Sequence, residues 1–331
     1  MYAACYERAG PADEVLSLRE LPTPVPRAGE VRVRMACSGV NPSDVKTRAG
    51  LRTKILPFAR IVPHSDGAGT VDQVGEGVDP ALLGARVWLW NAAWGRPDGT
   101  AAQYVVLPAA QAVPLPAGVD MAAGACLGIP AMTACHALVV DGSVEGQSVL
   151  IAGGAGAVGH YAVQMAKLLG ARQVIATVSG EHKAALARDA GADLVLNYRT
   201  DDLVKRCDEA TGGQGLDRIV EVDAAANLQQ DVSLLRTGGH IVVYGSGAPE
   251  ITVPFFPSIV KNVAYRFFIV YNLDLKDRAT AVELLTQWLA AGRLHHNIAK
   301  RLPLQSIAEA HKLVEQGAVA GNVVLDVDTV P

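Results

Sequence analysis

The six residues Gly154-Ala155-Gly156-Ala157-Val158-Gly159 stand between an apolar run, SVLIAG (148–153), and an amphipathic stretch of helical length that continues to 170. At this spacing Gly154 permits a tight turn, Gly156 leaves the backbone bare enough for a pyrophosphate to approach, and Gly159 lets helix and strand pack closely. Ala157 and Val158 fall in the same cradle, where the start of a helix attracts phosphate oxygens. A plain structural turn is the competing reading, but strand before and helix after supply the context for a bound dinucleotide.

The next apolar run, QVIATVS (173–179), ends Thr177-Val178-Ser179-Gly180 with no carboxylate, although an acid there is what normally holds the ribose hydroxyls of NAD. With Ser179 at that end, Lys183 a turn later and Tyr198 closing the third run, a cation and hydroxyl donors are set out for a 2'-phosphate, which favours NADPH. Glu181 is the counter-indication, and the bland alternative is that Lys183 faces solvent on a helix.

These residues need elements to hold them. From 147 onward apolar runs alternate with helix-length segments: SVLIAG, QVIATVS, DLVLNY, LDRIVEVD and HIVVYGSG, with four helices between them. Such alternation predicts a parallel, doubly wound α/β sheet. A sixth run, AYRFFIV (264–270), predicts an exposed edge strand of that sheet. An apolar edge is an aggregation hazard unless paired, so a homodimer through 264–270 is expected, with a tetramer left open.

The first 120 or so residues read as short β-prone runs broken by Pro and Gly, at 31–40, 66–78, 85–90 and 101–108, and predict a partly open β-barrel. The expected division is 1–122, then 123–268 for the cofactor, then a return of 269–331 to the first domain. Residues 121–140 are uncharged but rich in Ala and Gly, and predict a buried turn and helix rather than a membrane span.

Composition excludes several classes. A net charge of -4 without a basic stripe argues against nucleic acid as a partner. The 5 cysteines are dispersed and never in a Cys-x-x-Cys pair, which points to reduced thiols and, with no signal-peptide core in the charged N-terminus, to the cytoplasm.

The chain resembles the zinc-independent quinone oxidoreductases, the zeta-crystallin-like branch of the medium-chain dehydrogenase/reductase superfamily. The likeness runs through SGVNPSDVKTRAG, PHSDGAGTV, GTAAQYVVLP, VLIAGGAGAVG and IAEAHKLVEQGAVAGNVVL. The resemblance implies a GroES-like catalytic domain built from both chain ends, a Rossmann domain inserted into it, and NADPH as the hydride source for a quinone or α,β-unsaturated carbonyl. At the positions where zinc-dependent relatives carry ligands this sequence has Asn41 and Ser65, so no zinc is expected; His64 lies one position off that register, in a slot that is usually Gly.

By the same resemblance Asn41 sits beside nicotinamide and quinone, Thr133 contacts the nicotinamide amide, and Lys183 and Tyr198 hold the 2'-phosphate. Asn227, Gly245 and Ser246 line the cofactor cleft, with the backbone of Phe268 near the nicotinamide. Two departures stand out: Lys46, two residues before Arg48, replaces a Tyr, and Asn322 replaces a Lys that would contact the cofactor. Each has an ordinary alternative: Asn41-Pro42 as a turn, Thr133 as a helix start. Trp94 is the tryptophan expected to line an acceptor pocket with Lys46 and Arg48, whereas Trp88 and Trp90 read equally as core. A zinc alcohol dehydrogenase and a structural or RNA-binding NADPH protein are the competing functions.

Overall fold

The computed structural model describes residues 1–51 and 55–329. Two compact units emerge, one from Met1–Pro130 with Thr286–Pro331, the other from Ala131–Leu285. These limits differ from the expected 122 and 268 for local reasons. The helix Met121–Gly124, capped by the Asp120 carboxylate on the Ala122 N–H, packs its alanines on the barrel strands, where a Cβ at Gly124 would meet the Ala68 methyl at 2.7 Å. The start of the helix Leu275–Ala290 belongs to the second unit, where Arg278 Nη2 donates to the Val270 and Tyr271 carbonyls.

In the second unit six strands, all parallel, take the order Leu194–Asn197, Gln173–Val178, Ser148–Ile151, Leu216–Glu221, Leu235–Val243, Ala264–Phe267. The chain starts in the middle, winds outward one way, then returns and winds the other. Ser148–Ile151 is buried along its whole length, as a strand covered on both faces must be. The four helices Ala157–Leu168, Glu181–Asp189, Leu203–Thr211 and Ala224–Leu234 supply the crossovers that parallel pairing demands. Arg218, buried in the fourth strand, is held by the C-terminal carbonyls of the helix Met132–Val139, donating to Leu138 O at 2.7 Å.

The sixth strand is shorter than 264–270: its last ladder bond runs from Phe268 N to Val243 O, and a single turn, Val270–Asn272, follows. It is the sheet edge, and beside it the helix Phe255–Val260 exposes Phe255, Phe256, Ile259 and Val260.

The first unit is built on the 11-residue strand Glu30–Val40. Along one side it pairs antiparallel with Asp66–Val74; along the other its two halves take different partners, Tyr104–Pro108 and Asn322–Asp326. Strand Asn322–Asp326 therefore brings the end of the chain back into the barrel begun at the other terminus. No described helix is long and apolar enough to cross a membrane.

The approach of helix and sheet at the glycine turn is the tightest requirement of the second unit. A Cβ at Gly159 would lie 2.2 Å from the Gly153 carbonyl oxygen, and one at Gly154 would lie 2.6 Å from the Ala176 methyl. Gly159→Ala should therefore lower stability by about 1–3 kcal/mol, the usual range for overpacking, in urea-unfolding midpoints. Gly156→Ala, whose Cβ would meet only Gly153 O at 3.2 Å, should cost much less.

Candidate active site

In the second unit the turn after Ser148–Ile151 is tied to the neighbouring strand. Gly154 N donates to Thr177 O at 3.0 Å, and Gly153 N lies 3.3 Å from Thr177 Oγ1. Gly153, not singled out from the sequence, carries the left-handed backbone of this turn, with φ 69°. The doublet Gly153-Gly154 was its signal. The helix Ala157–Leu168 starts at Gly156, whose ψ of 174° is extended, so the first-turn N–H groups of Ala157, Val158 and Gly159 project from the strand end.

At the end of the second strand Ser179 and Gly180 lead into the helix Glu181–Asp189. Glu181 faces along that helix, 2.7 Å from Arg188 Nη1, and the guanidinium holds its carboxyl below the usual range. Lys183, half-buried one turn in, makes no ion pair among the described residues. Tyr198 is 52% exposed, with the guanidinium of Arg199 6.0 Å from its ring centroid. Arg199, missed in the sequence, adds a second cation to this corner. Its adjacency to Tyr198 was the available signal.

A cavity of about 460 Å³ opens at the strand ends, lined among others by Gly153, Thr177, Tyr198, Glu221, Asn227 and Ser246. Gly245 sits beside it, its missing side chain leaving room for the Val222 carbonyl, where a Cβ would lie at 2.3 Å. Two acids missed from the sequence form its floor. Glu221 and Asp231 are buried and hydrogen-bonded to one another. Burial, followed by the Glu221 charge, pushes Asp231 up to about 9, and burial likewise raises Glu221. The apolar run LDRIVEVD gave no hint that its glutamate points inward.

Thr133 is buried in the first turn of Met132–Val139. Phe268 meets the His136 ring edge-on at 4.6 Å.

In the first unit Asn41 is the N-cap of the helix Pro42–Arg48. Its backbone N donates to Asp44 Oδ2 at 2.9 Å and its Nδ2 to Asp66 Oδ2 at 2.8 Å, all three residues being buried. Burial pushes the Asp66 carboxyl well up, opposed by the Asn41 amide and reinforced by Asp44. One N–H of the Asn41 amide is thus held by Asp66, and the same nitrogen keeps a second.

Other expected contacts are engaged in packing. Arg48 is buried, with Nη1 on Gly10 O at 2.5 Å and Nη2 on Glu315 at 2.8 Å, so it joins its helix to Ile307–Glu315. Lys46, on the other side of the same turn, is exposed. Trp94 is 41% exposed in its loop, whereas Trp88 is core. The Asn322 amide donates to Asn297 O at 3.1 Å.

His64 occupies its glycine slot with φ 77°, a strained conformation for a side chain. Its Nδ1 is 2.8 Å from Ser38 Oγ, which is 2.7 Å from Thr100 Oγ1, and its Nε2 is 2.9 Å from His311 Nε2. Both rings are buried and neutral: desolvation lowers His64 to about 3 and His311 well below its ordinary value. Both imidazole nitrogens of His64 are therefore committed to this chain, and no three His, Cys, Asp or Glu side chains converge among the described residues. With Asn41 bound to Asp66 and Ser65 in a loop, these residues do not fit a zinc centre.

Residues 27–117 match the alcohol dehydrogenase GroES-like domain and residues 157–287 the family described as zinc-binding dehydrogenase. Human quinone oxidoreductase is 31% identical over 326 residues, covering 97% of this chain and 95% of the relative. The 2-haloacrylate reductase of a Burkholderia species is 32% identical, covering 98% of each. The structure of Escherichia coli quinone oxidoreductase complexed with NADPH superposes with a TM-score of 0.89 at 26% identity, covering 99% of this chain and all of that one. The chain belongs to the medium-chain dehydrogenase/reductase superfamily, in the branch of the quinone oxidoreductases.

The buried histidines set an acid limit on stability. They bind protons near pH 6.5 when unfolded but not in the native state until about pH 3 for His64. Stability should thus fall as pH drops below 6.5, by about 1.4 kcal/mol per pH unit for each histidine. His311→Gln should remove about half of that slope between pH 6 and 5 in urea titrations.

Proposed function

We propose that the protein transfers a hydride from NADPH to a quinone or an α,β-unsaturated carbonyl without a metal ion. The observation that carries this reading is the Asn41–Asp66 amide–carboxyl pair, standing where zinc-dependent relatives of the family would place a ligand. Human quinone oxidoreductase and the 2-haloacrylate reductase, both matched over nearly their full lengths, point to the same acceptor chemistry.

NADPH would rest its pyrophosphate on the glycine turn at 153–159, with Lys183, Tyr198 and Ser179 toward the 2'-phosphate and Arg199 as a further cation. The reading is supported by the pairing of Glu181 with Arg188, which leaves Lys183 as the uncommitted charge of that helix start. Thr133, Gly245, Ser246 and Phe268 complete the cofactor contacts in this reading. Asn322, whose amide is spent on Asn297, contributes through its strand rather than as a cation.

When bound, NADPH supplies the hydride, and the acceptor gains an electron pair that leaves negative charge on its oxygen. Asn41 Nδ2 has one N–H on Asp66 and directs the other at that oxygen, holding the acceptor and countering the charge as it develops. Water delivers the proton that completes reduction. Lys46 and Trp94, both exposed, are the side chains proposed to meet the acceptor's rim; Arg48 serves the fold. All 5 cysteines are buried and none is paired, which suits a reducing cytoplasm.

We further propose a homodimer. Strand Ala264–Phe267 is an edge with a free backbone side, and Phe255, Phe256 and Phe267, at 72%, 70% and 51% exposure, lie in and beside it. A second copy pairing edge to edge would extend the sheet across a two-fold axis and cover these rings. Light scattering at micromolar concentration should give two chains per particle, and Phe255→Asp/Phe256→Asp should give one; a monomeric wild type would end this proposal.

The central test is the oxidation rate of NADPH and NADH, with chelator, against quinones, 2-enones, 2-alkenals and simple aldehydes. Turnover should be chelator-insensitive, confined to quinones or enones, and faster with NADPH. Asn41→Ala should lower kcat by about 10²-fold with little change in NADPH affinity, as loss of an oxyanion donor does. Lys183→Ala should weaken NADPH by about tenfold and leave NADH unchanged.

A further inference from the structure

A continuous run of hydrogen bonds crosses the first unit. The Nε2 of His311, on the helix Ile307–Glu315, lies 2.9 Å from the Nε2 of His64. His64 Nδ1 lies 2.8 Å from Ser38 Oγ, and Ser38 Oγ lies 2.7 Å from Thr100 Oγ1. Thr100 Oγ1 in turn reaches the main-chain oxygen of Asp66, the residue whose carboxyl holds the Asn41 amide. All four side chains are buried.

Heavy-atom distances leave the direction of such a run open, and its far end closes the question. A carbonyl oxygen can only accept, so Thr100 donates to Asp66 O; its other neighbour, the His64 carbonyl at 3.5 Å, is an acceptor too. A hydroxyl has one proton, so Thr100 must accept from Ser38, and Ser38 by the same count from His64 Nδ1. A neutral imidazole carries one N–H, hence His64 Nε2 is an acceptor and His311 Nε2 the donor. The reverse direction would set the Thr100 lone pairs against Asp66 O. It would also give His311 an N–H at Nδ1, a buried atom with no partner among the described residues. Orphaned buried N–H groups are rare, whereas a bare acceptor is better tolerated.

We propose that His311, His64, Ser38 and Thr100 form a positioning chain of single polarity, which fixes the main chain of Asp66 and, through its carboxyl, the Asn41 amide that faces the acceptor. The four act through Asp66 and are positioning residues. Asp66 is the first residue of its strand, where the ladder ends and a side-chain donor can set the direction of the carbonyl. His64 holds a left-handed backbone, φ 77°, that glycine would adopt without strain, and the link made by its ring is what offsets that strain.

This inference rests on the proposed role of Asn41, and its test has a readout outside activity. In nitrogen NMR of the histidine-labelled full chain at neutral pH, His64 should carry its proton on Nδ1 and His311 on Nε2. An imidazole free in water favours Nε2, so the His64 signature is the diagnostic one. Thr100→Val keeps the shape of the side chain and loses the hydroxyl; Thr100→Ser keeps the hydroxyl and loses the methyl. The valine variant should relax His64 toward the Nε2 tautomer and lower kcat on a quinone or enone by about five- to tenfold, the worth of one hydrogen bond, with NADPH affinity unchanged. The serine variant should keep the Nδ1 proton and a kcat close to wild type. A packing role predicts the opposite order, because the methyl would then matter more than the hydroxyl. A wild-type His64 protonated on Nε2 overturns the polarity, and an unchanged kcat in Thr100→Val overturns the link to Asn41. Should wild type turn over no quinone or enone while the tautomers are as stated, the reading of function fails and the polarity of the chain survives it.

Discussion

The second unit depends on one close approach. The helix Ala157–Leu168 starts against the end of the first strand at a distance that only hydrogen at Gly159 permits, since a Cβ would intrude on the Gly153 carbonyl. From that contact follow the direction of the helix, the outward aim of its first-turn N–H groups, and the tie of the turn to Thr177 on the second strand. Gly153 absorbs the reversal with its left-handed backbone. The aim of those N–H groups, the feature by which a helix start attracts anions, is thus a property of main-chain placement.

Several buried acids and histidines obey a second constraint: each is held by a polar partner. Asp66 is held by the Asn41 amide, Glu221 accepts from the Asn227 amide, and His64 and His311 stay unprotonated in a chain that includes Ser38 and Thr100. An isolated charge in these places would cost several kcal/mol, and a lone neutral group about 1–3. Pairing also fixes orientation, because a carboxylate facing an amide leaves one way for that amide to point. Asn41 is set in this manner by Asp66 on another strand, and Asn227 by Glu221 just before its own helix. The strain of His64 in a glycine-like conformation is offset by the two hydrogen bonds that hold its ring.

Arg48 shows how a helix sorts neighbouring residues. Two positions from Lys46 on a seven-residue helix, it turns to the opposite face and becomes interior, where Glu315 and the Gly10 carbonyl satisfy it. Sequence adjacency suggested one pocket for both. The periodicity of the helix sends them apart.

The sequence by itself determined the alternation of strand and helix from 147 to 243, the glycine turn, the absence of an acid at Ser179, and the edge position of the strand after 264. These are local: apolar runs bounded by turn residues, and glycine spacing set by hydrogen-bond and steric distances within a few residues. Only the tertiary structure decided that strand Glu30–Val40 shares one side between Tyr104–Pro108 and Asn322–Asp326, that Arg48 is interior, and that Gly153 bears the turn. It alone brought Glu221 to Asp231, Asn41 to Asp66, and His64 to His311, 247 residues apart. The physical reason is that a buried polar group is defined by its partner, and a partner supplied by another strand or helix leaves no trace in local composition.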